Sequence, residues 1–530
     1  MSISGDWDRR ISRRTLLKTG GSFAAGVALA GLASDRAFAQ ATFPSYPFKC
    51  GVASGDPTPD GFVLWTRLVP DPLAVGGGLP AEPYEVRYEL ARDPDFRYIH
   101  RQGTTAAVAD EAHSVRVEIG DLPPEREYWY RFKAGDEISP VGRTRTGPPG
   151  NSMVRLVTFA FVSCQNFADG YFTSYEEVAN DPAVEAVIFL GDYIYEGGAR
   201  AIRAHAPARV IKSLDEYRIR HGQYKTDVHL QAAHAAHPWL VTWDDHEFRN
   251  NYADLDLDEV PEVSVEDARQ RRQNAYQAYW EHMPLSRSRK PVEADLQLYR
   301  RFHWGKLITF NVLDGRQYRS DQVDACPQRD PSGYCTGVLD PQRTMLGAEQ
   351  LDWLLNELAT TKTRWNVLAQ QTMFSPFNRT TVTGAAPRFD TFDSWDGYVA
   401  ERQRILDWIV AQRTENPVVL TGDTHQHWVR NVPGDYRDLG RAPVATELMG
   451  TSVSTGGDPS SPSTRRNDDP NNPHVLFRNN ERGYVRSVVT PDRWTSEYRR
   501  TKVAQPSAPC SGLTTAVIEN GVRGAQLIPE

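Results

Sequence analysis

The stretch Ala186-Val187-Ile188-Phe189-Leu190-Gly191-Asp192-Tyr193-Ile194-Tyr195 decides how the chain is read. Five apolar residues, of the kind buried on both faces of a parallel sheet, run into a glycine and then a carboxylate. The glycine allows a tight turn, so Asp192 projects from the end of a strand. From there one carboxylate can bridge two cations about 3.5–4 Å apart. A helix-capping aspartate among core tyrosines would account for the same ten residues. The stretch alone does not separate the two.

Its recurrence does. Val418-Val419-Leu420 runs into Gly422-Asp423-Thr424-His425-Gln426-His427. Asp423 and His425 are two apart, so an extended loop can aim both at one point. A hard oxygen and an imidazole together suit two unlike metals. Leu240-Val241-Thr242-Trp243 runs into Asp244-Asp245-His246-Glu247. His246 is placed there to give a proton or hydrogen bond to a leaving group or phosphoryl oxygen. A buried structural histidine paired with an aspartate is the competing interpretation. Residues 156–162 end in Ser163-Cys164-Gln165, and Val367-Leu368-Ala369 ends in Gln370-Gln371. Helical patterns over 265–283, 347–358 and 398–409 lie between these runs. The alternation predicts an α/β domain over residues 153–500, with its site at the strand ends.

Residues 46–147 read differently. Phe62-Val63-Leu64-Trp65-Thr66, residues 84–90 and residues 115–119 are short strands, the last two with period-two alternation. Leu122-Pro123-Pro124 leads into Glu127-Tyr128-Trp129-Tyr130-Arg131-Phe132, like the corner strand of a fibronectin-type sandwich. An N-terminal β-sandwich domain is therefore expected over 46–147, with a Gly/Pro-rich linker over 142–151. Residues 454–472 are expected to form an exposed loop. Residues 501–530 are expected to form a C-terminal extension.

The chain has 530 residues and a formal net charge of -8. That balance offers no basic field, so no stable nucleic-acid complex is expected. No apolar run of 18 residues follows the N-terminus, so no transmembrane anchor is expected. Ser12-Arg13-Arg14-Thr15-Leu16-Leu17-Lys18, a Gly/Ala-rich apolar stretch and Ala37-Phe38-Ala39 resemble a twin-arginine signal peptide over residues 1–39. It implies the twin-arginine translocase as a partner during export, and a periplasmic or extracellular address. Five cysteines would meet an oxidising compartment. Cys326 and Cys335 flank a short loop and are the first expected disulfide. Cys50 and Cys510 are a weaker second pair, which leaves Cys164 in its motif.

Taken in order, the motifs resemble those of the calcineurin-like metallophosphoesterases, each one altered. That superfamily uses Asp-x-His, Gly-Asp-x-x-Asp, Gly-Asn-His-Asp/Glu, a lone His and Gly-His-x-His. Here Ser163-Cys164-Gln165 stands for the first, and Tyr195 replaces the second Asp beside Asp192. Asp245 replaces the Asn before His246, Gln370 or Gln371 falls where the lone His would, and Asp423 replaces the first His before His425. Tyrosine at 195 resembles the purple acid phosphatases, where it gives a phenolate to ferric iron. Cys164 and Asp423, with Gly51-Val52-Ala53-Ser54-Gly55-Asp56-Pro57 and Leu64-Trp65-Thr66-Arg67, resemble instead the PhoD family of alkaline phosphatases and phosphodiesterases. The resemblance runs from about residue 46 to about residue 500.

The resemblance implies a sandwich of fibronectin or immunoglobulin type before a four-layered αββα catalytic domain, an α/β (α+β) fold overall. It implies one ferric iron with calcium. Cys164, Tyr195 and His425 suit the iron. Asp245, Asp423 and the Gln371 carbonyl suit the calcium, and Asp192 would bridge. His246 and Asp192 would take part in catalysis, and Arg316 and Arg319 would hold the phosphate. The expected reaction is in-line displacement on phosphate mono- and diesters by a metal-activated hydroxide. A purple-acid-phosphatase-like enzyme with zinc or manganese beside iron is the alternative, as is phospholipase D-type cleavage. An exported metal-binding adhesion protein is the non-enzymatic alternative.

Overall fold

The computed structural model describes residues 41–198, 201–257, 263–323, 325–382 and 384–528. The expected twin-arginine signal peptide over residues 1–39 lies outside them.

Two large sheets carry the fold. In the first, Val157–Val162, Ala186–Phe189, Pro238–Val241 and Val52–Thr58 run parallel in that spatial order. In the second, Ile308–Val312, Trp365–Ala369, Pro417–Thr421 and Pro443–Met449 do the same. All the strands that lead into the expected motifs are buried along their whole length. That burial is why they read as continuous apolar runs rather than alternating ones.

The sheets pack face to face. Phe159, Phe161, Ile188 and Leu240 of the first share one core with Phe310, Val367, Leu420 and Leu448 of the second. Helices Leu214–Tyr224, Val228–Ala236 and Val265–His282 cover the outer face of the first sheet, around Trp239, Trp243 and Tyr276. Helices Gly347–Thr360 and Val399–Ala411 cover the second, through Leu354, Leu358, Ile405 and Ile409. The four layers αββα are as expected.

Two expectations about boundaries change. Strands Val52–Thr58, Gly61–Arg67 and Ser114–Ile119 do not stay in a separate sandwich. They extend the first large sheet, because Ser54 and Gly55 pair in parallel with Pro238 and Trp239. Only Tyr84–Ala91, Ile99–Ala107, Glu127–Ala134, Glu137–Ile138 and Gly142–Arg145 form their own small sheet. The N-terminal β region thus shares a sheet with the catalytic region, and the linker over 142–151 does not part them. The expected C-terminal extension is likewise structural. Ser511–Glu519 pairs with Arg493–Thr501, and Gln526–Ile528 closes that edge of the first sheet. Among the described residues no helix is long and apolar enough to cross a membrane.

Candidate metal centre

Every loop that carries a motif leaves the carboxyl end of a parallel strand. The loops from the two sheets meet there. Four of the expected ligands sit in the left-handed backbone region: Cys164 at φ 59, Asp192 at φ 61, Asp423 at φ 58 and His425 at φ 57. Asp and His tolerate this region better than most residues, but cysteine does not. Each costs about 1–3 kcal/mol, and such strain persists only where the surroundings enforce it. The glycines that precede the aspartates have a different task. A side chain on Gly191 would collide with the main chain of Asp244, and one on Gly422 with the Ser163 hydroxyl. Glycine therefore lets the loops touch.

Two clusters of ligand-type atoms result, each within 4.8 Å: Cys164 with Asp192 and His425, and Asp192 with Asp245 and His246. Asp192 belongs to both, the position of a bridge. The Tyr195 hydroxyl donates to Asp192 Oδ2 at 2.7 Å and lies 3.4 Å from His425 Nε2. Cys164, Asp192, Tyr195 and His425 thus converge as expected.

The electrostatics describe a place that needs positive charge. Burial, then Asp192 nearby, pushes the Cys164 thiol well above its ordinary value. Burial and Asp192 do the same to the Tyr195 phenol. Asp192 itself is raised by burial and by Asp245, Asp244 and Glu247, with His246 opposing. Burial raises Asp423 to about 7. Burial lowers His425 to about 3, which leaves a neutral imidazole with a free lone pair. Oδ2 of Asp244 and Oδ1 of Asp245 are buried without a hydrogen-bond donor. Such orphaned carboxylate oxygens are costly unless a cation meets them. This donor set fits a pair of cations.

His246 is built in by residues the sequence did not single out. Its Nδ1 lies 2.7 Å from Glu196 Oε2, and its ring packs on Tyr195 with centroids 4.1 Å apart. Burial alone would lower its pKa, but Glu196, Asp245 and Asp192 together raise it well above the ordinary value. Glu196 also accepts from Arg249 Nη1 at 3.0 Å and the Asn250 amide at 2.9 Å. Despite burial, these partners hold Glu196 down at about 2. Glu196 directly follows Tyr195, and that adjacency was its only signal. Thr455 had none: its hydroxyl lies 2.8 Å from the Tyr195 oxygen across 260 residues of chain.

Three expected residues have other work. The Gln371 amide donates to Thr242 Oγ1, the Trp243 carbonyl and the Leu313 carbonyl, and its oxygen accepts the Gly315 amide at 3.0 Å. It pins strand ends of both sheets together and does not present a ligand. Arg316 is fully buried. It binds Asp244 through Nε and Asp393 through Nη1 at 2.9 Å, with Nη2 3.6 Å from Asp423 and 3.8 Å from Asp245. Arg319 donates to the Tyr252, Asn251 and Asp393 carbonyls and to Asp393 Oδ1. Neither arginine presents a guanidinium to substrate. Both hold Asp393, which sequence gave no reason to name. Cys326 and Cys335 are free thiols lying against each other. Cys50 and Cys510 are free and apart in surroundings: the Cys50 thiol faces the Gly222 carbonyl, and Cys510 meets Glu177 and Thr501.

Two candidate ligand groups that share Asp192, at strand ends between two sheets of an αββα sandwich, are an arrangement that suits a metallophosphoesterase. The model of the PhoD-like phosphatase family matches residues 159–498, and that of its N-terminal domain matches residues 31–148. Alkaline phosphatase D of Bacillus subtilis (strain 168) is 46% identical over 499 residues, which cover 92% of this chain and 83% of the relative. The solved structure of PhoD superposes with a TM-score of 0.86 at 45% identity, over 92% of this chain and 94% of the other. The chain belongs to the PhoD-like phosphatase family.

Proposed function

We propose that the protein is an exported alkaline phosphatase with phosphodiesterase activity, acting on phosphate mono- and diesters. The observation that carries this is Asp192 shared between two ligand clusters. Cys164, Tyr195 and His425 would hold ferric iron, and Asp245 and Asp423 calcium, with Asp192 between them. Bound there, the two cations would supply Lewis-acid activation of the attacking water and charge for the phosphoryl oxygens.

The protein's own groups do the rest. Asp192, held by the Tyr195 hydroxyl and the His246 amide, sets the separation of the two positions. Glu196 takes Nδ1 of His246, which leaves Nε2 to hydrogen-bond a phosphoryl oxygen or to protonate the leaving oxygen. Arg316 neutralises the carboxylates behind the site, so the phosphate meets less repulsion. The signal over residues 1–39 supports export by the twin-arginine pathway, which delivers a folded protein. Cys326 and Cys335 are the pair proposed to oxidise afterwards.

The test is hydrolysis of p-nitrophenyl phosphate and bis(p-nitrophenyl) phosphate by the purified protein. Turnover of both, abolished by chelation and restored by calcium, is expected. A protein that hydrolyses neither contradicts the proposal. Release of choline from phosphatidylcholine would favour the phospholipase D-type alternative.

A further inference from the structure

Glu247 is buried at the end of the Asp244–Glu247 loop. Its Oε2 accepts the amides of Asp192 at 3.0 Å and Asp244 at 2.9 Å, and its Oε1 accepts the amide of Tyr193 at 2.5 Å. One carboxylate therefore ties the loop that ends Ala186–Phe189 to the loop that ends Pro238–Val241.

The tie matters because each loop carries ligand atoms. Asp192 sits at the tied amide on one side, and Asp245 follows the tied amide on the other. Asp192 is also in a left-handed conformation that needs enforcement. A second buried glutamate shows how the fold makes a purely structural tie. Glu447 accepts the amides of Phe374 at 2.8 Å and Ser375 at 2.9 Å, but its charge is met by Arg430 at 3.2 Å. Around Glu247 the bonds come from main-chain amides and the charged neighbour is Asp244, another acid.

We propose that Glu247 is a positioning residue for the metal centre: it fixes Asp192 against Asp245 so that both meet the same pair of cations. It touches neither substrate nor reacting atoms. The metals rest on the function proposed above, but the tie itself does not.

Glutamine keeps the size of Glu247, but its NH2 group cannot accept: facing Asp192 and Asp244 it loses both of those bonds, and facing Tyr193 it loses that one, so the tie weakens in either orientation. The experiment compares wild type with Glu247→Gln for iron and calcium content by inductively coupled plasma mass spectrometry and for Ca2+ affinity by calorimetry. Binding about 10–100-fold weaker is expected in the variant, the scale of losses when outer partners of metal ligands are removed. Leu358→Ala, which opens a cavity in the outer helical layer and lowers stability, is the control. It should keep wild-type affinity. Wild-type affinity in Glu247→Gln, or an equal loss in Leu358→Ala at matched melting temperature, overturns the proposal. Should Glu247→Gln not fold, Glu247→Asp is measured in its place with the same expectation. Wild-type protein that binds neither metal would contradict the proposed function instead. The tie is then read from hydrogen exchange in metal-free protein: the amides of Asp192, Tyr193 and Asp244 protected in wild type and exposed in the variant support it, and equal exchange overturns it.

Discussion

The two halves of the site solve the same problem differently. On the Cys164, Tyr195 and His425 side, the candidate ligands are polarisable or neutral, and the buried Arg482 donates to the His425 and Thr455 carbonyls rather than to a candidate ligand side chain. Burial there simply raises the thiol and the phenol. On the other side, the candidate ligands Asp245 and Asp423 are carboxylates, as is their neighbour Asp244, and Arg316 lies among them, wholly buried. One half waits for a cation. The other brings part of its own positive charge. Under the proposed function, a strongly charged ion would hold thiolate and phenolate in the first half, whereas the second would accept a weaker one.

The bridging residue offers the largest break of that comparison. Asp192→Asn removes the charge common to both halves. Turnover should fall on the order of 10³-fold, the scale of losing a group aimed at transition-state charge, and both metals should be lost. Steady-state kinetics with metal analysis checks this. Tyr195→Phe should strike one half only: the visible absorbance of the iron form disappears and iron binding weakens at least about 10-fold, while calcium content holds. Absorbance and metal content of one sample decide it.

Arg316→Met tests the opposite half. It leaves Asp244 buried without its partner, while Asp393 keeps Arg319. Breaking such a pair costs about 3–5 kcal/mol. Denaturant unfolding of the metal-free protein should show that loss, and calcium should recover part of it.

The smallest effect concerns Glu196 and His246. Glu196 is held at about 2 in the folded protein, below its ordinary 4.5. A depressed carboxylate stabilises the fold above its unfolded value and loses that contribution as pH falls through the folded one. His246 is raised, so its share is present below about 6.5 and fades as pH rises through its higher folded value. The metal-free protein should therefore lose stability below about pH 4.5. Glu196→Gln should remove about 3 kcal/mol near pH 6, and the gap should close toward pH 2. Unfolding curves across pH measure both.

The sequence made the strand-end ligands legible because a fully buried parallel strand is a plain apolar run, and the residues after it are the site. Asp192, Asp423 and His425 were read that way, and the family resemblance added Cys164 and Tyr195 as candidate ligands. The αββα layers followed from the family resemblance. The roles of Arg316, Arg319 and Gln371 were not legible. An arginine after an apolar strand looks the same whether it faces substrate or a buried aspartate. Asp393, some 75 residues further along, decides between them. Glu247 stood inside a quoted motif and Glu196 next to one, yet their tasks depend on hydrogen bonds across 50 to 55 residues. The sheet shared by the N-terminal and catalytic regions was not legible for a similar reason. Nothing in residues 52–58 announces that their strand will pair with Pro238–Val241.

The proposed pairing of an iron half with a calcium half is tested most directly by metal quantification and phosphodiester turnover on the same purified sample. Iron together with calcium, visible colour, and activity lost when either is removed are predicted. A colourless, iron-free protein with full activity would contradict the account.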